Sequence, residues 1–251
     1  MGLYRDQGIV LRSFRLGEAD RIVTLMSANR GKVRAVAKGI RRTKSRFGGR
    51  LEPTNHLALL LYEGRQGGAD GRSRLDVVTQ VETIEGFRTV REDLDRLAKA
   101  SSLLEAVDHV AVERHRDRRL YEMLLGALRA LATGDSALVV PAFFLKLLAH
   151  EGALSDLDGC TACGAEVAAD AAGFDVAHGG VLCRSCAGAA ASPGVSAQAL
   201  ALVRRILGGE LAAALAEPAS RATAEVSRLA TRSLEHHVER RLRSVAVLDG
   251  G

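Results

Sequence analysis

Four cysteines constrain this chain more tightly than any other feature. They fall in two pairs, Cys160-x2-Cys163 and Cys183-x2-Cys186, with 19 residues between the pairs. Each C-x2-C closes a tight knuckle that aims two thiolates at one point, and two such knuckles complete one tetrahedral shell. The spacing predicts a single structural Zn2+ held by all four thiolates, with the intervening residues forming a short hairpin. Four protein ligands leave no position for a reactive water, so the ion is scaffold rather than catalyst. His178 lies between the pairs, but the thiolates already fill the shell. A redox dithiol would instead show one C-x2-C at a strand-to-helix junction. Gly164 and Gly188 follow the pairs and are expected to relieve crowding where each knuckle turns back.

A second feature is electrostatic. Arg30 to Arg50, RGKVRAVAKGIRRTKSRFGGR, holds nine Lys or Arg and no Asp or Glu. From Lys32 to Lys38 it alternates, with Val33, Ala35 and Ala37 on one side and Lys32, Arg34, Val36 and Lys38 on the other. Side chains on a strand point to opposite faces with period two, so the alternation predicts a half-buried strand with a cationic outer face. Arg41, Arg42, Lys44, Arg46 and Arg50 follow among Gly, Ser and Thr, which predicts a mobile basic loop. A solvated face usually mixes signs, so an acid-free stretch points to a polyanion, with nucleic acid the first candidate. The imbalance is regional: residues 1–90 carry 17 Lys/Arg against 9 Asp/Glu, and residues 91–251 carry 18 against 21. The polyanion site therefore belongs to the first third of the chain.

Around that stretch the pattern is β. Gln7 to Phe14, Arg21 to Met26, Lys32 to Ala37, His56 to Tyr62 and Leu75 to Val81 are strand-like runs, with Gly67 to Gly71 as a hairpin tip. Five short strands in about 80 residues predict a small closed barrel, with the OB-fold the obvious candidate. From Thr89 the period becomes helical. Leu94, Leu97, Leu104, Val107 and Ala111 share one helix face, and Leu120, Leu124, Leu128 and Leu131 another. Val140 to His150 is apolar nearly all round, with Pro141 in its first turn and Gly152 as C-cap, and is expected at the centre of a bundle. Ala197 to Leu207, capped by Ser196, and Ala222 to Arg243 complete the set; His236 and His237 are read as solvated helix residues. The fold class is thus α+β: an N-terminal five-stranded OB-fold barrel (1–85) and a C-terminal helical bundle (86–251). A four-cysteine zinc-binding loop (156–192) is inserted in the bundle.

No enzyme is expected. The chain has no phosphate loop ending in Gly-Lys-Ser/Thr, no Gly-x-Ser-x-Gly elbow and no His-Glu-x-x-His. Glu18 and Asp20 beside Arg21 are read as a local salt bridge in a turn. No apolar run approaches the length of a membrane span, no secretory signal is seen, and Asp6 breaks a myristoylation pattern. A cytoplasmic protein with no membrane partner is expected.

The residues also resemble a known family. GIVLRSFRLGEADRIVTLMSANRGKVRAVAKGIRRTKSRFGGRLEP, then LDVVTQVE, is similar to the RecO family of bacterial recombination-repair proteins. Gly17-Glu18-Ala19-Asp20-Arg21, Arg30-Gly31-Lys32 and Val36-Ala37-Lys38-Gly39 carry most of the likeness. The resemblance implies an N-terminal OB-fold, a helical domain and a zinc-binding loop, although some members lack the cysteines. It implies a non-enzymatic role at sites of DNA damage in the nucleoid. That role includes binding single- and double-stranded DNA, annealing complementary strands, and acting with RecR to help RecA displace single-stranded DNA-binding protein. An apolar groove would dock that protein's C-terminal tail. Lys32, Arg34, Lys38, Arg41, Arg42, Lys44, Arg46 and Arg50 are the candidate DNA contacts. Aromatics amount to 4% with no Trp, which favours phosphate contacts over base stacking. The competing reading is a zinc-ribbon, OB-fold RNA-binding factor.

Overall fold

A computed structural model describes residues 2–42, 45, 47–64, 75–167, 173–190, 192 and 194–245. The Gly67–Gly71 tip, Lys44 and Arg46 lie outside the described residues. By its backbone contacts the chain forms two compact units, residues 1–132 and 133–251.

The first unit opens with β1 (Leu3–Leu16), β2 (Asp20–Ser27) and β3 (Gly31–Ala37), followed by β4 (His56–Tyr62) and β5 (Asp76–Glu85). They close into a barrel in the order β1-β2-β3-β5-β4, with β1 antiparallel to both β2 and β4 and β3 parallel to β5. This is the expected OB-fold barrel. Strand β1 serves two neighbours because its 14 residues bend at a register shift between Val10 and Arg12. The alternation of β3 holds: Val33, Ala35 and Ala37 are buried with Val10, Val23, Leu25, Leu57 and Leu61.

The basic loop is anchored in the barrel on both sides of its charged residues. Ile40, Phe47 and Leu51 all enter the barrel core, and burial of a ring such as Phe47 contributes about 2–3 kcal/mol. Asp20 fastens the loop's start by accepting a hydrogen bond from the Gly39 amide at 2.7 Å. Arg21 pairs with Glu52 at 2.9 Å, so the local pairing expected with Glu18 or Asp20 is replaced by a longer-range one.

Helices α1 (Arg88–Arg91), α2 (Leu94–Val110) and α3 (Arg118–Thr133) follow the barrel. Asp93 caps α2 by accepting from the Arg96 amide. Buried His56 ties β4 to α3: its Nε2 lies 2.7 Å from the Tyr121 hydroxyl and its Nδ1 3.1 Å from Glu85. Asp76 is fully buried and accepts from Tyr4, from Arg114 at 2.8 Å and from the Gly64 amide at 2.9 Å. Burial alone would raise its carboxyl, yet these donors hold it below the usual carboxylate range.

The second unit begins with α4 (Val139–His150), passes through the hairpin β6 (Gly173–Asp175) and β7 (Gly180–Leu182), and continues with α5 (Arg184–Ala189). It ends with α6 (Ala197–Leu207), α7 (Leu211–Leu215) and α8 (Arg221–His237). As expected, α4 is buried from Val139 to Leu145 and again at Leu147 and Leu148, and it packs against α6 and α8. Gly152, with φ 71°, ends it: the Gly152 amide donates to Ala149 and the Ala153 amide to Leu148, a Schellman closure. Ser196 caps α6 through the Ala199 amide. Helix α8 stops at His237, short of the expected Arg243. Glu239 turns left-handed there (φ 53°), and Glu235 accepts from the Leu242 amide. Among the described residues no helix is long and apolar enough to cross a membrane.

Candidate nucleic-acid interface and metal centre

The two knuckles meet as their spacing predicts. One ligand atom from each of Cys160, Cys163, Cys183 and Cys186 lies within 4.8 Å of the others, and the Cys163 and Cys183 sulfurs are 3.8 Å apart. Metal–sulfur bonds of about 2.3 Å in a tetrahedron place sulfurs about 3.8 Å apart, so the set fits such an ion. The first knuckle is closed by the Gly164 amide donating to Cys160 and the Cys160 amide donating to Ala165, each at 2.8 Å. Gly164 supplies a positive φ of 72°. Gly188 does not share that role: it lies inside α5, and a Cβ added to it would meet nothing within 4 Å. Cys183 occupies the N-cap of α5, with Cys186 in its first turn, and the β6–β7 hairpin links the knuckles.

Amide donation, first from Cys183 and then from Cys163 and Ala162, holds the Cys160 thiol down at about 6. Hydrogen bonds to the Cys183 and Cys163 sulfurs push the Cys186 thiol up to about 12. Crowded sulfurs oppose ionising together, and a cation is what allows all four to do so. His178 takes no part; it pairs with Asp175 at 2.8 Å on the hairpin turn.

The cationic candidates divide into two groups. Lys32 donates to the Asp108 carbonyl at 2.6 Å and lies 3.7 Å from its carboxylate, while Arg34 lies 3.9 Å from Glu113. The strand's outer row is therefore matched at this end by acids from the end of α2 and the segment after it. The fit is close: the Arg114 amide donates to the Lys32 carbonyl at 3.0 Å, and a Cβ on Gly31 would strike the His115 carbonyl. Lys38, Arg41 and Arg42 form the second group and are exposed. The Arg41 side chain donates to the Glu18 carbonyl at 2.8 Å and its amide to Ala19. This holds the loop against the β1–β2 turn with the Arg41 charge uncompensated by a carboxylate in that contact. Arg50 is exposed and donates to the Phe47 carbonyl at 3.3 Å.

Sequence reasoning missed Asp108 and Glu113 as partners of β3. They lie more than 70 residues downstream, and no local pattern signals the pairing.

Comparison with known proteins follows the same division of the chain. The family model described as "Recombination protein O N terminal" matches residues 1–87, and "Recombination protein O C terminal" matches residues 91–246. The chain belongs to the RecO family. Its RecO relatives include a protein of Nocardioides sp., 41% identical over 98% of this chain and 99% of the relative. Another, from Thermobifida fusca, is 41% identical over 99% of both chains. A third, from Rubrobacter xylanophilus, is 45% identical over 74% of this chain and 72% of its own. All three are described as DNA repair protein RecO. In this RecO chain the first family segment coincides with the barrel and its basic loop, and the second contains all four cysteines.

Proposed function

We propose that this RecO-family protein is a recombination mediator of the RecF pathway, acting by binding rather than by catalysis. It binds single- and double-stranded DNA, anneals complementary strands, and acts with RecR to load RecA on strands coated by single-stranded DNA-binding protein, whose C-terminal tail it also contacts. The division of labour proposed is a DNA-binding barrel at 1–85 and a helical region at 86–251 that carries the zinc loop at 156–192. One Zn2+ at the four thiolates would be structural.

The observation that carries this reading is the exposed cationic group Lys38, Arg41 and Arg42 at the edge of an OB-fold barrel in a RecO-family chain. These residues would take the first phosphate contacts, with Lys44, Arg46 and Arg50 from the same loop. Lys32 and Arg34 would join only by exchanging their acids for phosphate. Cations that neutralise two backbones at once reduce the repulsion between strands and leave base edges uncovered for pairing.

Annealing of complementary oligonucleotides tests the proposal. The protein should accelerate duplex formation, and Lys38→Glu/Arg41→Glu/Arg42→Glu should reduce the acceleration at least tenfold without lowering Tm. Unchanged annealing by that variant refutes the assignment. Structured RNA offered as competitor separates this reading from an RNA-binding factor, since it should compete less well than single-stranded DNA. Labelled DNA incubated with magnesium should stay intact.

A further inference from the structure

Phe14 departs from the other phenylalanines. Five of the six, Phe47, Phe87, Phe143, Phe144 and Phe174, are 8% exposed or less, whereas Phe14 is 45% exposed. The strand register shows what surrounds it. Phe14 pairs with Ile22, and Ile22 with Val36, so the three form a cross-strand row on the barrel's outer face. The row on one side is Arg12, Thr24 and Arg34. On the other side Leu16, 39% exposed, pairs with Asp20, whose carboxylate is turned to the Gly39 amide next to Lys38. An apolar strip with an exposed ring therefore crosses the sheet beside the exposed cations Lys38, Arg41 and Arg42.

The ring is also held. The Arg12 guanidinium carbon lies 4.5 Å from the Phe14 ring centroid, and Arg12 is itself fixed by an ion pair with Asp108. A ring braced from one side loses little freedom when a flat partner arrives, which favours binding. Single exposed apolar residues are ordinary on protein surfaces. A braced aromatic that continues into Ile22 and Val36 and adjoins an acid-free basic loop is a more specific arrangement.

We propose that Phe14 is a stacking platform for one unpaired base of a single-stranded nucleic acid whose phosphates run along Lys38, Arg41 and Arg42. This rests on the nucleic-acid reading above and adds a base contact to a site that composition alone describes as purely phosphate-binding. The flat π-face of a base suits the ring and the strip, and the adjacent positive charge matches the backbone attached to it. One stacked base leaves its neighbours free to pair, so the platform is compatible with annealing.

The chain has no Trp, so Phe14→Trp introduces a sole indole at the platform. Emission from that variant should be quenched by an oligothymidylate, over the same concentration range in which anisotropy reports binding. An abasic strand of equal length should quench little. Phe14→Ala and Phe14→Leu should bind oligothymidylate at least about fivefold more weakly than wild type, the lower end of a base–aromatic stack. They should bind the abasic strand as wild type does. Equal quenching by both strands, or unaltered affinity of Phe14→Ala for oligothymidylate, overturns the platform; the strip would then face solvent or a protein partner. Absence of salt-dependent binding of wild type to either strand overturns the nucleic-acid reading itself, a result distinct from the others.

Discussion

His56 is enclosed between β4 and α3, and its environment makes a statement about pH. Burial lowers its pKa from the ordinary value, and the Glu85 carboxylate opposes that shift without cancelling it. The unfolded chain therefore takes up a proton at this site more readily than the folded one. Stability from the neutral His56 is fully present above pH ~6.5, and it is lost as pH falls from there toward the folded pKa. Thermal melts between pH 8 and pH 5 should show Tm falling below about pH 6.5. The fall should be shallower in His56→Gln, and equal slopes for the two proteins would contradict this role. Lys32 and Arg34 teach a related lesson. Their placement on one strand face was legible from period-two alternation, but their partners were not. Asp108 and Glu113 reach them through tertiary packing, and a local pattern holds no record of that.

At the scale of elements, the strands were the most legible part of the chain. All five were expected within a few residues of their observed bounds, because each is a short apolar run set off by turn residues; β3 alternates strictly, whereas β2 is buried at every residue from Val23 to Ser27. The bends were less legible: the shift between Val10 and Arg12 that lets β1 serve two neighbours has no sequence mark stronger than Leu11 itself. The anchoring of the basic loop was not legible, since Phe47 and Leu51 look like isolated apolar residues until the barrel core receives them. The cysteine loop was readable because metal geometry dictates spacing. Its two-strand hairpin has only three residues in each strand, too few to hold a core alone, so a metal should carry much of its stability. Metal analysis should find about one zinc per chain, and Cys160→Ser should release it and lower Tm, by roughly 4 °C for each kcal/mol lost in a unit of this size. Wild-type protein that melts identically with and without a chelator would contradict the zinc assignment.

For the whole molecule, charge does what no single contact can. The first 90 residues hold the positive excess and the remainder a slight negative one, so on the proposed function a polyanion would be drawn to the barrel before any specific contact forms. Within the barrel unit, packing then sorts the cations. Those near the end of α2 meet acids, and those at the β1–β2 turn remain exposed. The sign of the site was legible in composition, but this sorting required the fold. The most direct test is the salt dependence of single-stranded DNA affinity. With at least three phosphate contacts, log affinity against log salt should have a slope of about −2 or steeper. Lys38→Glu/Arg41→Glu/Arg42→Glu should flatten it by about two units. A flat response in wild type, or an unchanged slope in the variant, would contradict a phosphate-binding barrel edge.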